Sequence, residues 1–398
     1  MKKKVLAAVI AVIVLGVVFK LLGESDTVSI PEAVTKVQQA LSDSGEDSSE
    51  ASEAASQSAG SPYKYYYYKL NNDEKKAYDN VLAKVCSFPS TVKVPALNQD
   101  ELNEMFQALL YDNPDLFFLG SHCTLSSIGG TGLLSLDYRV SKSDYKSALK
   151  KIENTRDEIL SNVTDRSDEW KTEKQVHDAL AAKLGYDYTD DESNLSTIYG
   201  ALADGTASCE GYSKAMKYIL DYLGIESYVL AGKATDTDGD TDSHMWNVVK
   251  INGCYCHLDL TWDDPVNGNY KTYEYFNLSD RQINCDHSNW SFDYDCTSVT
   301  QSYSYKAGFY FTSYSVANNE ELARAIAKEL DSGNTAIELR FSDMTAYSAG
   351  YRTLIEEYAI YDVITSADKY CSLSFSHSDL SFSQNRTTLV MTFIPNFK

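Results

Sequence analysis

The chain opens on Lys2-Lys3-Lys4 and an unbroken apolar run from Val5 to Phe19, then loses almost all aromatic and branched apolar positions between 24 and 62. The first pattern has the positive flank and hydrophobic segment of an export signal, and Lys20-Leu21-Leu22-Gly23 continues it. Residues 1–23 therefore read as an uncleaved single-pass membrane anchor, with a cleaved signal and a secreted protein as the alternative. Residues 24–62, rich in Ser, Glu, Ala and Gln, cannot bury enough surface to fold and read as a flexible stalk with one short helix at Pro31–Leu41. From Tyr63 the pattern becomes globular. Asn72–Val85, Gln99–Leu110 and Ser143–Leu160 carry helical spacing, the first two with N-terminal caps, while Leu116–Leu119 and Leu133–Val140 read as strands. The run Tyr63–Tyr68 reads as a strand with one aromatic face in the core, a sugar-stacking platform being the alternative. These elements predict an α+β N-terminal domain over 63–165.

A second pattern fills 166–303. Tyr212, Ala215, Met216, Ile219, Leu220 and Leu223 recur at helical spacing behind Cys209, with Ser208 at the N-cap position and Gly224 as the stop. Tyr228–Ala231, Met245–Ile251 and Tyr255–Leu260 read as strands, and Asn252-Gly253 predicts a two-residue hairpin turn. That turn sets Trp246 opposite Asp259 and Val248 opposite His257, leaving His244 diagonal to Asp259 on the same face. Met245, Asn247, Val249, Ile251, Cys254, Cys256, Leu258 and Leu260 fall on the other face. Alternation thus predicts a sheet that buries this second face and offers His244, Trp246 and Asp259 to the Cys209 helix. Beyond Tyr305 the order is strand Gly308–Tyr314, helix Asn319–Leu330, strand Thr335–Phe341, helix near Ala349–Tyr358, then strands at 371–376 and 387–393. That order predicts a small α/β sandwich over 304–398, packing or assisting in recognition without a catalytic constellation of its own.

Charge narrows the partners. With 57 acidic against 35 basic residues and a formal net charge of -22, the chain lacks the basic patches that bind nucleic acid or anionic lipid headgroups. Eight cysteines are present. A working Cys209 must stay free, which leaves an odd number, so at least one more thiol is unpaired or bonded to another chain. Cys285 and Cys296 lie near enough in sequence to close a local loop.

Three segments carry the chemistry: Ser208-Cys209-Glu210-Gly211-Tyr212, His244-Met245-Trp246-Asn247, and the run His257 to Pro265. A thiol, an imidazole and a carboxylate on consecutive elements are the parts of an activated nucleophile. Cys209 falls in the first turn of its helix, where the dipole and unpaired N–H groups favour a thiolate and can help bind an oxyanion. Together with Val176-His177-Asp178 and Tyr186-Asp187, these segments make residues Glu173 to Pro265 resemble the transglutaminase-like superfamily. The resemblance implies a papain-like core with Cys209 as nucleophile, His244 as base and acid, and Asp259 as the group orienting His244. The pair Cys254 and Cys256 departs from the aromatic residues common there. Tyr199 is a candidate oxyanion donor set against a packing role, and Trp246 a support that keeps water from the imidazole.

The implied function is a membrane-anchored extracellular thiol enzyme that cleaves or transfers acyl groups of peptide or isopeptide amides, peptidase activity standing ahead of transglutaminase activity. Its partners would be protein or peptide substrates, cell-wall peptide among them. The alternative is a catalytically inactive surface-binding or wall-associated scaffold on the same fold; peptide N-glycanase activity is disfavoured for want of a glycan-recognising signal. No cofactor is implied. The run Asp236 to Asp242 alternates carboxylates like a calcium loop, but its Gly239 is one place early and no Glu stands at the twelfth position, so it reads as a flexible acidic loop beside His244. Cys254, Cys256, His257, Cys285, His287 and Cys296 are enough ligands for zinc but lack a paired C-x₂-C spacing, which argues against a metal there. Asp263 and Asp264 read as a turn cap ahead of a cation site.

Overall fold

The computed structural model describes residues 60–187, 194–264, 271–373 and 375–397. The expected anchor and nearly all of the stalk lie outside them, as does Pro265. Among the described residues no helix is long and apolar enough to cross a membrane. The chain divides into two compact units, Met1–Lys150 and Lys151–Lys398, so the division falls inside the helix Tyr145–Ser161 and residues 304–398 share a unit with 166–303.

In the first unit, α1 (Tyr65–Lys69), α2 (Asn72–Leu82) and α3 (Gln99–Asp112) lie in sequence around β1 (Thr91–Pro95), and β2 (Leu119–Ile128) and β3 (Thr131–Tyr138) complete an antiparallel sheet of order β1-β3-β2. The caps are as the sequence predicts: Asn71 with Glu74 and Asn98 with Glu101 form reciprocal capping boxes. Two expectations fail here. The tyrosine run is helical rather than a strand, because the Asp112 carboxylate accepts the N–H groups of Tyr66 and Tyr67 at 3.0 and 2.8 Å and so caps a helix start. Leu116–Phe118 makes turns leading into β2, which begins at Leu119; all four side chains are buried, and an apolar run buried all round has no period to read.

The helix α4 (Tyr145–Ser161) leads into the second unit. There α5 (Glu169–Ala181), the short parallel pair β4 (Gly185–Tyr186) and β5 (Thr206–Ala207), and α6 (Cys209–Leu223) precede β6 (Ser227–Thr235), β7 (Thr241–Ile251) and β8 (Cys254–Leu258). Asn252 and Gly253 have φ of 50° and 78°, the pair of positive values a type I′ hairpin needs, and Ile251 pairs with Cys254 through Asn247 with Leu258 as predicted. The strand ends at Leu258 rather than Leu260, since Asp259 caps the helical turn α7 (Leu260–Asp263). After α8 (Asp280–Ile283), β9 (His287–Ser288) adds to the far side of β6, giving the order β8-β7-β6-β9.

The helix α6 buries Tyr212, Ala215, Met216, Ile219 and Leu220 of the predicted stripe, leaves its sixth member Leu223 half-buried, and ends at Gly224 in the left-handed conformation. It lies on the opposite sheet face from the one expected: Asn247 Nδ2 donates to the Ser213 carbonyl of α6 at 2.9 Å, while Trp246 packs with Leu230, Val248 and Cys296 under Trp290 and Phe292. Alternation assigns residues to faces but is silent on which layer covers each face, and here both faces are covered. The C-terminal region, α9 (Tyr303–Ala307), β10 (Tyr310–Phe311), α10 (Asn319–Asp331), β11 (Ile337–Phe341), α11 (Met344–Tyr351), α12 (Ala359–Ala367), β12 (Phe375–Asn385) and β13 (Val390–Phe397), forms a mixed sheet of order β10-β11-β13-β12. The molecule is thus α+β, as expected, with α12 unanticipated and the last two strands displaced toward the C-terminus.

Candidate active site

Cys209 is the first residue of α6. The N-cap Ser208 makes no side-chain cap; its hydroxyl donates instead to the Leu195 carbonyl at 3.3 Å, and among the described residues no side chain accepts the first-turn N–H groups. Gly211 explains how the helix start comes so close to residue 195, because a Cβ there would lie 2.2 Å from the Leu195 oxygen and 2.7 Å from Ala207 Cβ.

His244 stands near the start of β7, 8% exposed, with Nε2 2.7 Å from Oδ2 of the fully buried Asp259. The Cys209 side chain is close enough to the same imidazole to act on its charge, and Nε2 being committed to Asp259, Nδ1 is the nitrogen left to it. Burial disfavours the imidazolium, but the charge and hydrogen bond of Asp259, with the Cys209 contact, outweigh it and raise the pKa to about 10. Asp259 is held ionised: burial opposes this, and His244 and a second histidine overcome it. Its Oδ1 accepts the N–H groups of Thr261 and Trp262 at 3.0 and 3.2 Å, so capping α7 and orienting His244 are done by the two oxygens of one carboxylate.

The second histidine is His287, which sequence reasoning placed only among zinc ligands. Its Nε2 is 3.1 Å from Asp259 Oδ2 and its Nδ1 2.6 Å from Asp286 Oδ1, and Tyr275 donates to Asp286 Oδ2 at 2.8 Å. The adjacent Asp286-His287 pair was the available signal. Trp262 packs against both histidines, with ring centroids 5.5 Å from His244 and 4.7 Å from His287. Trp246 is stacked near His244 at 6.1 Å and donates its indole N–H to His257 Nδ1 at 3.0 Å, a wall of the site. Tyr199 is not brought to the other candidates by its hydroxyl, which accepts from Lys151 Nζ at 3.2 Å in an exposed position.

Other residues of the motif brace the site from behind. His177, fully buried, sets Nε2 3.2 Å from Asp263 Oδ2 and Nδ1 3.4 Å from Asp178; burial is outweighed by the two carboxylates and its pKa rises to about 9. Asp263 also accepts the Tyr275 N–H at 2.7 Å, and Asp264 accepts the Tyr212 hydroxyl at 2.7 Å. Both aspartates are thus spent on structural hydrogen bonds.

Among the described residues, two groups have ligand atoms within 4.8 Å of one another, His244 with Asp259 and His287, and His257 with Asp280 and Cys296. An ion in the first would have to displace the two imidazole bonds to Asp259. In the second, His257 Nδ1 accepts from Trp246, so Nε2 carries the proton and donates to Asp280 at 2.8 Å; burial holds this imidazole neutral. The six residues weighed as zinc ligands are dispersed, Cys254 and Cys256 lying on the other sheet face and Cys285 at the surface. All eight cysteines are free thiols, so the loop closure considered for Cys285 and Cys296 is not made. The acidic loop joins β6 to β7, where Asp236 Oδ1 accepts the N–H groups of Asp238 and Asp240 at 2.9 and 3.0 Å.

Residues 153–260 match the family model of the Transglutaminase-like superfamily. No curated protein matches the chain. Among solved structures, a TGase shares 16% identity over 52% of this chain and 58% of its own, with a TM-score of 0.27. A candidate protease from Parabacteroides distasonis shares 11% over 34% and 35% (TM-score 0.22), and a candidate cysteine protease from Cytophaga hutchinsonii 10% over 37% and 64% (TM-score 0.24). The chain spans less than two thirds of each of these, and scores of this size carry no argument about chemistry. The family match, over the residues that hold Cys209, His244 and Asp259, identifies 153–260 as a domain of the Transglutaminase-like superfamily.

Proposed function

We propose that this chain is a thiol acyl-transfer enzyme acting on peptide or isopeptide amides, with Cys209 as nucleophile. The observation that carries the reading is Cys209 on the first turn of α6, which Ser208 leaves uncapped, beside an imidazole whose Nε2 is 2.7 Å from a buried carboxylate. In this mechanism the Cys209 proton passes to His244 Nδ1, and the sulfur attacks the amide carbonyl carbon. The oxyanion lies at the start of α6, where first-turn N–H groups point outward. His244 then returns the proton to the departing nitrogen as the C–N bond breaks, leaving a thioester. Water releases an acid and an amine releases a new amide; either restores the thiol. Asp259 holds the imidazole by its Nε2–H throughout. Attachment of this region outside a membrane through residues 1–23 is the accompanying proposal.

The test is to incubate the full chain with glutamine-bearing and isopeptide-linked peptides, with and without excess primary amine, beside Cys209→Ala. Cleavage or amine incorporation that Cys209→Ala abolishes supports the reading, and the product identifies the acceptor. Binding of such peptides with no turnover in any condition would replace it with the scaffold alternative.

A further inference from the structure

The proton bookkeeping at His287 is set by its partners. Both ring nitrogens face carboxylate oxygens, Asp259 Oδ2 at 3.1 Å and Asp286 Oδ1 at 2.6 Å. An ionised carboxylate only accepts hydrogen bonds, so each nitrogen must carry a proton and the ring is an imidazolium. A buried cation is tolerated when flanked by two anions, and each anion is itself anchored: Asp259 by two backbone N–H groups and Asp286 by the Tyr275 hydroxyl. Burial works against the charge and the two carboxylates outweigh it, so its pKa is raised. The ring is placed by a sheet, since His287 pairs with Ala234 of β6, and it is boxed in by Trp246, Trp262 and Tyr275. The titratable groups around it are Asp259, His244 and His257 from the hairpin, Tyr275, and its neighbours Asp286 and Cys285, with Glu274 and Arg340 beyond Asp286.

Asp259 Oδ2 therefore serves two cations. We propose that His287 is a positioning residue of the active site, an imidazolium that shares Asp259 with His244 and thereby keeps the His244 imidazolium acidic enough to protonate a leaving amine. This rests on the acyl-transfer reading. Without the second cation, the whole charge of Asp259 falls on His244, which then releases its proton only at higher pH.

The experiment compares the full chain with Asp286→Asn, which removes the reason for the second proton while keeping the imidazole beside Asp259, and with His287→Gln. Two readouts are taken from pH 5 to 12: ¹⁵N-histidine NMR, and the rate of Cys209 alkylation by iodoacetamide. The expected result is a wild-type His287 with both nitrogens protonated through neutral pH. In both variants the His244 titration moves up by about one pH unit, and the alkaline inflection of Cys209 alkylation moves with it. A neutral His287 at pH 6, or a His244 titration unmoved in both variants while Cys209 remains fast, overturns this proposal alone. A wild-type Cys209 that alkylates like a simple thiol overturns the acyl-transfer reading and this proposal with it.

Discussion

Asp259 faces two imidazoles with one oxygen and caps α7 with the other, so its replacement separates geometry from charge. In Asp259→Asn the amide accepts at one atom only, which leaves His244 without a fixed tautomer; turnover is expected to fall by about 10²- to 10⁴-fold with the protein still folded, as an activity assay beside a thermal melt would show. Unchanged turnover would remove Asp259 from the mechanism. Glu173 offers a second residue-scale prediction. It is fully buried, Asn277 Nδ2 donates to its Oε2 at 2.6 Å, and its Oε1 and Asn277 Oδ1 both lack partners among the described residues. One added proton on Oε1 would pair these two acceptors, and burial, against the Asn277 bond, pushes the carboxyl up to about 8. The unfolded value is near 4.5. The folded state therefore holds the proton more tightly, and this stability is complete below the unfolded value and lost as pH rises to about 8. About 3 kcal/mol is gone by pH 7 relative to pH 4. Glu173→Gln keeps both hydrogen bonds without a titrating proton and is expected to melt higher than wild type at pH 8 to 9; melts with the same pH dependence in both proteins would show Glu173 to be ionised.

At the scale of elements, the β7–β8 hairpin was legible because two independent signals agree: the Asn252-Gly253 turn and strict alternation fix the register that sets His244 beside Asp259. The helix behind Cys209 was legible from its stripe and from Gly224. What alternation left open was the layer covering each face, and Trp246 turned out to pack under the 287–296 segment and not under α6. His287 was hidden for a related reason. It lies on a two-residue strand after an irregular stretch, with no periodicity to tie it to β6. The helix α6 makes its own prediction through Gly211: a methyl there meets the Leu195 backbone, so Gly211→Ala is expected to cost about 1–3 kcal/mol and to displace Cys209 from His244. Denaturant unfolding together with the alkylation rate would check it, and a variant with wild-type stability and a fast Cys209 would show that this close approach is slack.

At the scale of the molecule, the C-terminal sheet is tied to the motif-bearing part by buried polar groups. Tyr273 N–H donates to Glu338 at 2.7 Å, and Arg340 donates to the Glu274 carbonyl. No pattern along the chain links these elements, since each partner is an ordinary polar residue and only the packing makes it buried. A chain ending at residue 303 would expose this network and is expected to lose cooperative unfolding, which calorimetry would detect; a melt as sharp as that of the full chain would make 304–398 a separable addition. The central claim, that Cys209 is an activated nucleophile, is tested most directly by intact-mass labelling of the full chain with limiting iodoacetamide from pH 5 to 9, beside His244→Ala. The account predicts that Cys209 is labelled first, that its labelling stays fast below pH 7, and that it slows by about a hundredfold in the variant. Labelling of Cys209 no faster than a free small-molecule thiol, and equal in the two proteins, would contradict it.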